Sequence, residues 1–455
     1  MANKLWSLGL SVTLVGGLLA GCGSSGGNSA GNSAESSSGS AEQSNASSQT
    51  SNQSETSGSQ AASGGKVKIV FGQGADQTEG TKKLIAAFEA KHPEIEVEVR
   101  EFPNDSSQMH DQLVTILSGK SSELDVVNLD VTWPAEFAQA GFLQPLDRQI
   151  QKDGIDTSQY LEGGVNAGYY NGQQWALPRY NNAGLLYYRT DIVKEVPKTW
   201  DELLKQAEQL KGKGGTQYGF VTQGKQYEGL AVGFTELVSA YGGTILDDKG
   251  NVAVNSPEAL KGLKKQIELL NSPAVPSNIN TFTEKETLTA FIEGSAVFAR
   301  HWPALYAQAN DPSKSKIVGK VGIAPLPAGD ARSAAALGGW LAAVSKYSAH
   351  PQESWEFLKF LISEEGEKII AVNSTQTPTY LKLFDDPEVQ KASPLYANRD
   401  FMNGLSSAVP RTITPQYAKI SGLIQVEVSK AVAGQQTPEQ TLANLEKEIK
   451  QAVSQ

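Results

Sequence analysis

Three tryptophans define the chemistry this sequence is equipped to perform. Trp133 follows Leu129-Asp130-Val131-Thr132 and precedes Pro134, Trp302 lies between His301 and Pro303, and Trp340 follows Gly338-Gly339. Each follows an expected strand or stands beside Gly or Pro, so its ring is presented at an edge. The other four of the seven read differently: Trp6 lies in an apolar leader, Trp200 and Trp355 pack at helix positions, and Trp175 within a strand is ambiguous. Aromatic planes beside carboxylate, amide and guanidinium groups suit a sugar. The C–H face of a pyranose packs on a ring, and its hydroxyl rim needs paired partners. Each hydroxyl buried unpaired costs about 1–3 kcal/mol.

Other chemistries lack their residues. His92, His110, His301 and His350 are scattered without metal-ligand spacing, and the one cysteine allows neither a zinc set nor an internal disulfide. No Ser-His-Asp order can be argued. A carboxylate pair could hydrolyse a glycoside, but a chain with 49 acidic residues always offers such pairs. Gly72-Gln73-Gly74 follows a strand, yet Gln77 stands where a dinucleotide fingerprint needs its third Gly. Gly119-Lys120-Ser121 ends a helix instead of starting one, and Val114 occupies the first-Gly position of a P-loop. Gly23-Ser24-Ser25-Gly26-Gly27 mimics a nucleophile elbow inside low-complexity sequence. No cofactor and no metal are expected.

The chain's front end sets its compartment. Lys4 precedes an apolar run from Leu5 to Leu19, then Leu19-Ala20-Gly21-Cys22. This is a signal-peptide pattern, too short for a comfortable membrane span. The site resembles a bacterial lipobox, with Cys22 as the lipidated first residue of the mature chain. Residues 22–65 are rich in Ser, Gly, Asn, Gln and Ala, with too little apolar bulk to offset chain entropy, and read as a flexible tether. Removing residues 1–21 takes away Lys4 and shifts the formal charge from −10 to −11. An acidic surplus argues against nucleic acid and anionic membrane surfaces as partners.

The elements that must position the candidate residues follow. Strands are expected at 66–71, 95–101 and 124–130, with helices at 78–90, 106–117 and from Pro134. Three β-α units in succession predict an α/β fold with a mostly parallel sheet. The C-terminal strand ends then share one edge, where ligands collect. Glu79, Asp130 and Trp133 fall at that edge. Thr199 is the expected cap of a helix, with Glu202 as its capping-box partner. A second α/β unit runs from about 180 to 315, and the chain is helical from Tyr380 onward. Residues 172–189 read as two strands, 173–177 and 183–189, joined by a polar bend at Pro178-Arg179-Tyr180-Asn181-Asn182.

Taken together and in order, several strings resemble extracellular solute-binding lipoproteins of bacterial ABC sugar importers. They are Leu129 through Ala138, residues 172–191, Thr199-Trp200-Asp201-Glu202-Leu203, His301-Trp302-Pro303, Val321-Gly322-Ile323-Ala324-Pro325-Leu326-Pro327 and Leu337-Gly338-Gly339-Trp340. The resemblance spans about 66–450 and is nearest the trehalose/maltose-binding branch. It implies a two-lobed α/β fold with a ligand cleft between lobes and hinge crossovers. The implied lobes are 66–178 with 322–372, and 179–321 with 373–455. By motif position, Glu79, Asp130, Tyr180, Asn182, Trp302, Gly339, Trp340 and Arg411 would line the cleft. The implied partners are a small sugar and the transmembrane permease subunits, with a monomer held at the membrane by its lipid. Asn182 replaces an Asp common in that branch, and Ala304 stands where it can carry a Tyr. A same-fold receptor for sucrose, glucosylglycerol or an oligosaccharide, an oligopeptide receptor, and a secreted glycosidase are the alternatives.

Overall fold

The computed structural model describes residues 65–454 except Gln77, Asp248 and Ser407. The expected leader, Cys22 and the tether up to residue 64 lie outside the described residues. Among the described residues eleven strands form three sheets: β1 Val67–Gly74, β2 Ile95–Phe102, β3 Val126–Asp130, β4 Tyr169–Tyr170, β5 Gln173–Gln174, β6 Leu177–Ala183, β7 Leu185–Arg189, β8 Tyr218–Val221, β9 Ala296–His301, β10 Val321–Pro325 and β11 Leu337–Val344. The first sheet has the order β2-β1-β3-β11-β6, the second β10-β7-β9-β8, and β4-β5 is a small hairpin.

In the first sheet β1 runs parallel to β2 and β3, as the alternation of β strands and helices predicts, while β11 is antiparallel to both neighbours. Successive residues of β3 serve opposite faces. Val126 joins a core with Phe71, Phe88 and Phe357, and Val127 joins one with Leu113, Phe137 and Leu341. A strand buried on both sides favours apolar residues, which explains Val126, Val127 and Leu129, while the buried Asp125 beside them is paired, accepting the Val70 N–H at 2.8 Å and the Ser348 hydroxyl at 2.6 Å. The second sheet has its own core around Tyr187, Phe234, Phe291 and Phe298. Asp105 caps the helix Ser106–Ser118 by accepting the Gln108 N–H at 3.1 Å. Thr199 caps the helix Trp200–Leu210, but the Glu202 carboxylate accepts from Lys198 N–H rather than from Thr199. Trp200 and Trp355 are buried, as expected of packing residues.

The polar bend expected at residues 178–182 is strand. β6 runs through it, from Leu177 to Ala183. It is the last strand of its sheet and pairs with β11 alone, so the missing N–H of Pro178 breaks no ladder. The register shifts between Trp340 and Leu341: Tyr180 faces Trp340, Pro178 faces Leu341, and Arg179 is the extra residue of a bulge. The chain therefore leaves the first sheet at Gly184, not at 178. It returns over residues 326–336, because β10 belongs to the second sheet, and crosses again at 375–380 after the helix Glu364–Ser374. The boundaries expected at 178, 322 and 372 fall inside β6, inside β10 and inside that helix. Among the described residues no helix is long and apolar enough to cross a membrane.

Glu367 secures the third crossing. Its carboxylate accepts the N–H of Thr379 at 2.6 Å and of Tyr380 at 2.8 Å, and the Thr379 hydroxyl. Burial pushes its pKa up from 4.5 to about 8, against the pull of those donors. A carboxyl raised on folding binds more protons in the native chain between those values, so the contribution of Glu367 to stability is fully present below pH 4.5 and is lost as pH rises to about 8. The stability of wild type relative to Glu367→Gln will thus decline by a few kcal/mol from pH 5 to pH 8 in urea titrations. A difference independent of pH contradicts this.

Candidate functional site

β1, β2 and β3 are parallel, so their C-terminal ends share an edge. A cavity of about 530 Å³ opens there, facing the helix Ala304–Ala309 that follows β9 of the second sheet. Asp76 and Asn104, each two residues beyond β1 and β2, reach it, and Asn128 reaches it from β3. Gln308, Asp311 and Lys314 stand on the opposite side, and residues 373–376 of the third crossing close one end.

The bulge on β6 brings consecutive side chains, Arg179 and Tyr180, into the same wall. Arg179 is 4% exposed. Its Nη1 donates to Gln73 Oε1 at 3.1 Å, its plane lies 5.0 Å from the Phe71 ring centre, and Nε has no partner among the described residues. Burial lowers its pKa. Burial also pushes the Tyr180 phenol up to about 12, keeping it a neutral donor at neutral pH. Asp76 behaves oppositely. Burial opposes its charge, but hydrogen bonds from Thr78 and Thr81 hold its carboxyl below the usual range. It thereby fixes the start of the helix Gly80–Lys91. Trp340 lies across from Asp130 and Tyr180 in the ladder, and its ring meets Trp133 edge to face at 5.5 Å.

A smaller cavity of about 250 Å³ lies between residues 106–133 on one side and Glu228, Arg411 and Tyr417 on the other. Arg411 is buried there. Its Nη2 donates to Asp130 Oδ1 at 2.7 Å, its Nη1 to Glu228 Oε1 at 2.7 Å, and its Nε to the Leu337 carbonyl at 3.2 Å. Burial works against its charge, but the Asp130 and Glu228 carboxylates outweigh it and raise its pKa.

The eight residues singled out in the sequence therefore divide. Tyr180 and Trp340 line the larger cavity; Asp130 and Arg411 line the smaller and bond to each other. Gly339 serves through its backbone: its φ is +130°, and a Cβ would stand 2.4 Å from the Tyr180 carbonyl oxygen. Trp302 borders neither cavity. Its ring lies over the Arg300 guanidinium at 4.2 Å and against Gly338, and its Nε1 donates to Glu284 at 3.3 Å. Asn182 is half-buried on β6 opposite Gly338, also outside both cavities. Glu79 is exposed before its helix, 3.6 Å from Lys82. Asp76, Asn104, Asn128, Arg179 and Gln308 were not singled out. The strand-end rule points to Asp76 and Asn104, whereas Arg179 depends on a bulge that no local pattern marks.

The model of the bacterial extracellular solute-binding protein family matches residues 74–368. A probable ABC transporter-binding protein of Deinococcus radiodurans is 33% identical over 345 residues, 73% of this chain and 81% of that protein. A maltotriose-binding protein of Pyrococcus abyssi is 25% identical over 79% of this chain and 76% of its own. Among solved structures, maltose-bound MalE3 of T. maritima aligns with a TM-score of 0.78 at 36% identity, covering 84% of this chain and 99% of that one. The two sheets, their crossings and the cavity between them are thus those of a two-lobed, maltose-binding-protein-like fold. This chain belongs to the bacterial extracellular solute-binding proteins, the exported binding components of ABC transporters.

Proposed function

We propose that the protein is a lipid-anchored receptor that captures an α-glucosyl disaccharide of the trehalose or maltose kind and delivers it to the transmembrane subunits of an ABC importer. The observation that carries this reading is the 530 Å³ cavity between the two sheets, with Trp340 and Tyr180 in one wall and amide, carboxylate and guanidinium groups around it. Its volume lies within the range of small-molecule sites. Trp340 stacks on one sugar ring. Asp76, Asn104, Asn128 and Gln308 pair with hydroxyls, and Arg179 donates from the floor. Hinge closure at the three crossings desolvates the ligand. Micromolar affinity needs about 8 kcal/mol, within reach of one stack and several satisfied hydrogen bonds. The maltose-bound and maltotriose-binding relatives support an α-glucoside.

The receptor acts as a monomer, anchored through Cys22, and binds its sugar without turnover. A second reading rests on Ala304, which borders the cavity where the trehalose/maltose branch can carry a Tyr. The smaller side chain leaves room for another sugar, such as sucrose, glucosylglycerol or a longer oligosaccharide. Calorimetry against trehalose, maltose, sucrose, glucosylglycerol and maltotriose separates the two. Tightest binding of trehalose or maltose is the expected result. Preference for maltotriose or sucrose favours the second reading, and silence from all five with folded protein contradicts both.

A further inference from the structure

Arg411 stands where the resemblance expects a sugar-binding group, yet three of its five N–H donors are taken by the protein itself. It is 5% exposed and bonds Asp130, Glu228 and the Leu337 carbonyl. The two carboxylates belong to different lobes. Asp130 ends β3 of the first sheet, while Glu228 begins the helix Glu228–Ala240 in the core of the second. Glu228 is itself held in place: Tyr417 Oη donates to its Oε1 at 2.5 Å and Ser421 Oγ to its Oε2. Tyr417 and Ser421 lie on the helix Tyr417–Val432, which packs on the helix of Glu228. Arg411 is thus held to the second lobe by Glu228 and reaches the first through the Asp130 carboxylate and the Leu337 carbonyl at the start of β11. Asp130 is oriented for it by Thr132, whose N–H and hydroxyl both donate to the same Oδ1, at 3.1 and 2.8 Å.

We propose that Glu228 is the positioning residue of an inter-lobe latch. It holds the Arg411 guanidinium against Asp130, and this contact sets how far the lobes close when no sugar is bound. The inference rests on the reading that the lobes open and close around a ligand, but not on which ligand. An ion pair this buried is only weakly screened by salt, and its geometry is defined from both ends, so it contributes where an exposed pair would not. The latch adds a constant bias toward closure, which lowers the affinity the sugar itself must supply.

Single-molecule energy transfer between dyes at Glu96→Cys on the first lobe and Glu258→Cys on the second, in a Cys22→Ser background, reads closure without sugar. Asp130→Asn keeps the acceptor that the Thr132 turn needs and removes the charge. It should shift the sugar-free closed-to-open ratio about tenfold toward open. Glu228→Gln should shift it the same way, and the double variant no further than Asp130→Asn alone. Should Glu228→Gln fail to fold, Tyr417→Phe and Ser421→Ala each remove one donor to Glu228 and should give about a two- to threefold shift in that direction. Ratios within twofold of wild type for Asp130→Asn, additive shifts in the double variant, or a sugar-free wild type that is wholly open each overturn the latch. Opening by the variants in a protein that binds none of the sugars leaves the latch standing and refutes the disaccharide reading instead.

Discussion

Replacing Glu236 by alanine will cost about 3–5 kcal/mol of stability, the loss typical of stripping one partner from a buried ion pair. Arg300 and Glu236 are 3% and 2% exposed. Arg300 Nε donates to Oε2 at 3.0 Å and its Nη2 to Oε1 at 2.5 Å, while its Nη1 donates to Gln223 at 3.2 Å. Without the carboxylate, a guanidinium is left buried and uncompensated. The effect extends further, because the same Oε1 accepts the Ala336 N–H at 3.1 Å, at the end of the second crossing, and lies against Gly184 in the first. One carboxylate thus touches two of the three passages between the sheets, and Arg300 supports the Trp302 ring. Urea denaturation of Glu236→Ala gives the cost directly. Adding Arg300→Met should recover most of it by removing the orphaned charge. A loss below about 1 kcal/mol would mean that water or a neighbour replaces the carboxylate.

Trp340→Ala is expected to weaken sugar binding by about 30- to 150-fold, or about 2–3 kcal/mol. Trp340 is the one tryptophan in the wall of the 530 Å³ cavity, and its edge-to-face contact with Trp133 fixes the ring plane. Trp340→Phe should retain part of the affinity, since a smaller aromatic face still packs on a pyranose. Trp302→Ala is the contrast. Trp302 borders Arg300 and Gly338 instead of the cavity, so its removal should reduce stability more than affinity. Calorimetry of the three variants separates these roles. Equal affinity losses for Trp302→Ala and Trp340→Ala would return both rings to the ligand.

Much of the fold was legible because its signals are local. The strand at 124–130 reads from Val126, Val127 and Leu129, Thr199 announces a helix start, and the succession of β-α units requires parallel strands whose ends share an edge. What stayed hidden depended on partners distant in sequence. Pro178 and two asparagines look like a turn until β11 is known to lie on one side of them and no strand on the other, where the Asn181 N–H donates to the Thr377 carbonyl at 3.2 Å. Arg179 reaches the cavity only because the register slips against Trp340 and Leu341. Arg411 enters by motif position alone, because its partners Asp130 and Glu228 lie 281 and 183 residues away. Asp76 and Asn104 follow from the strand-end rule alone, each two residues beyond a parallel strand.

The most direct test of the account is a crystal structure of the protein purified with whatever ligand it retains from its host. The account predicts density for two linked sugar rings in the cavity between the sheets, one stacked on Trp340 and hydrogen-bonded to Asp76 or Asn128, with Arg411 still joined to Asp130 and Glu228. A ligand that is not a carbohydrate, or a sugar seated against Arg411 with the Asp130 contact broken, would contradict it.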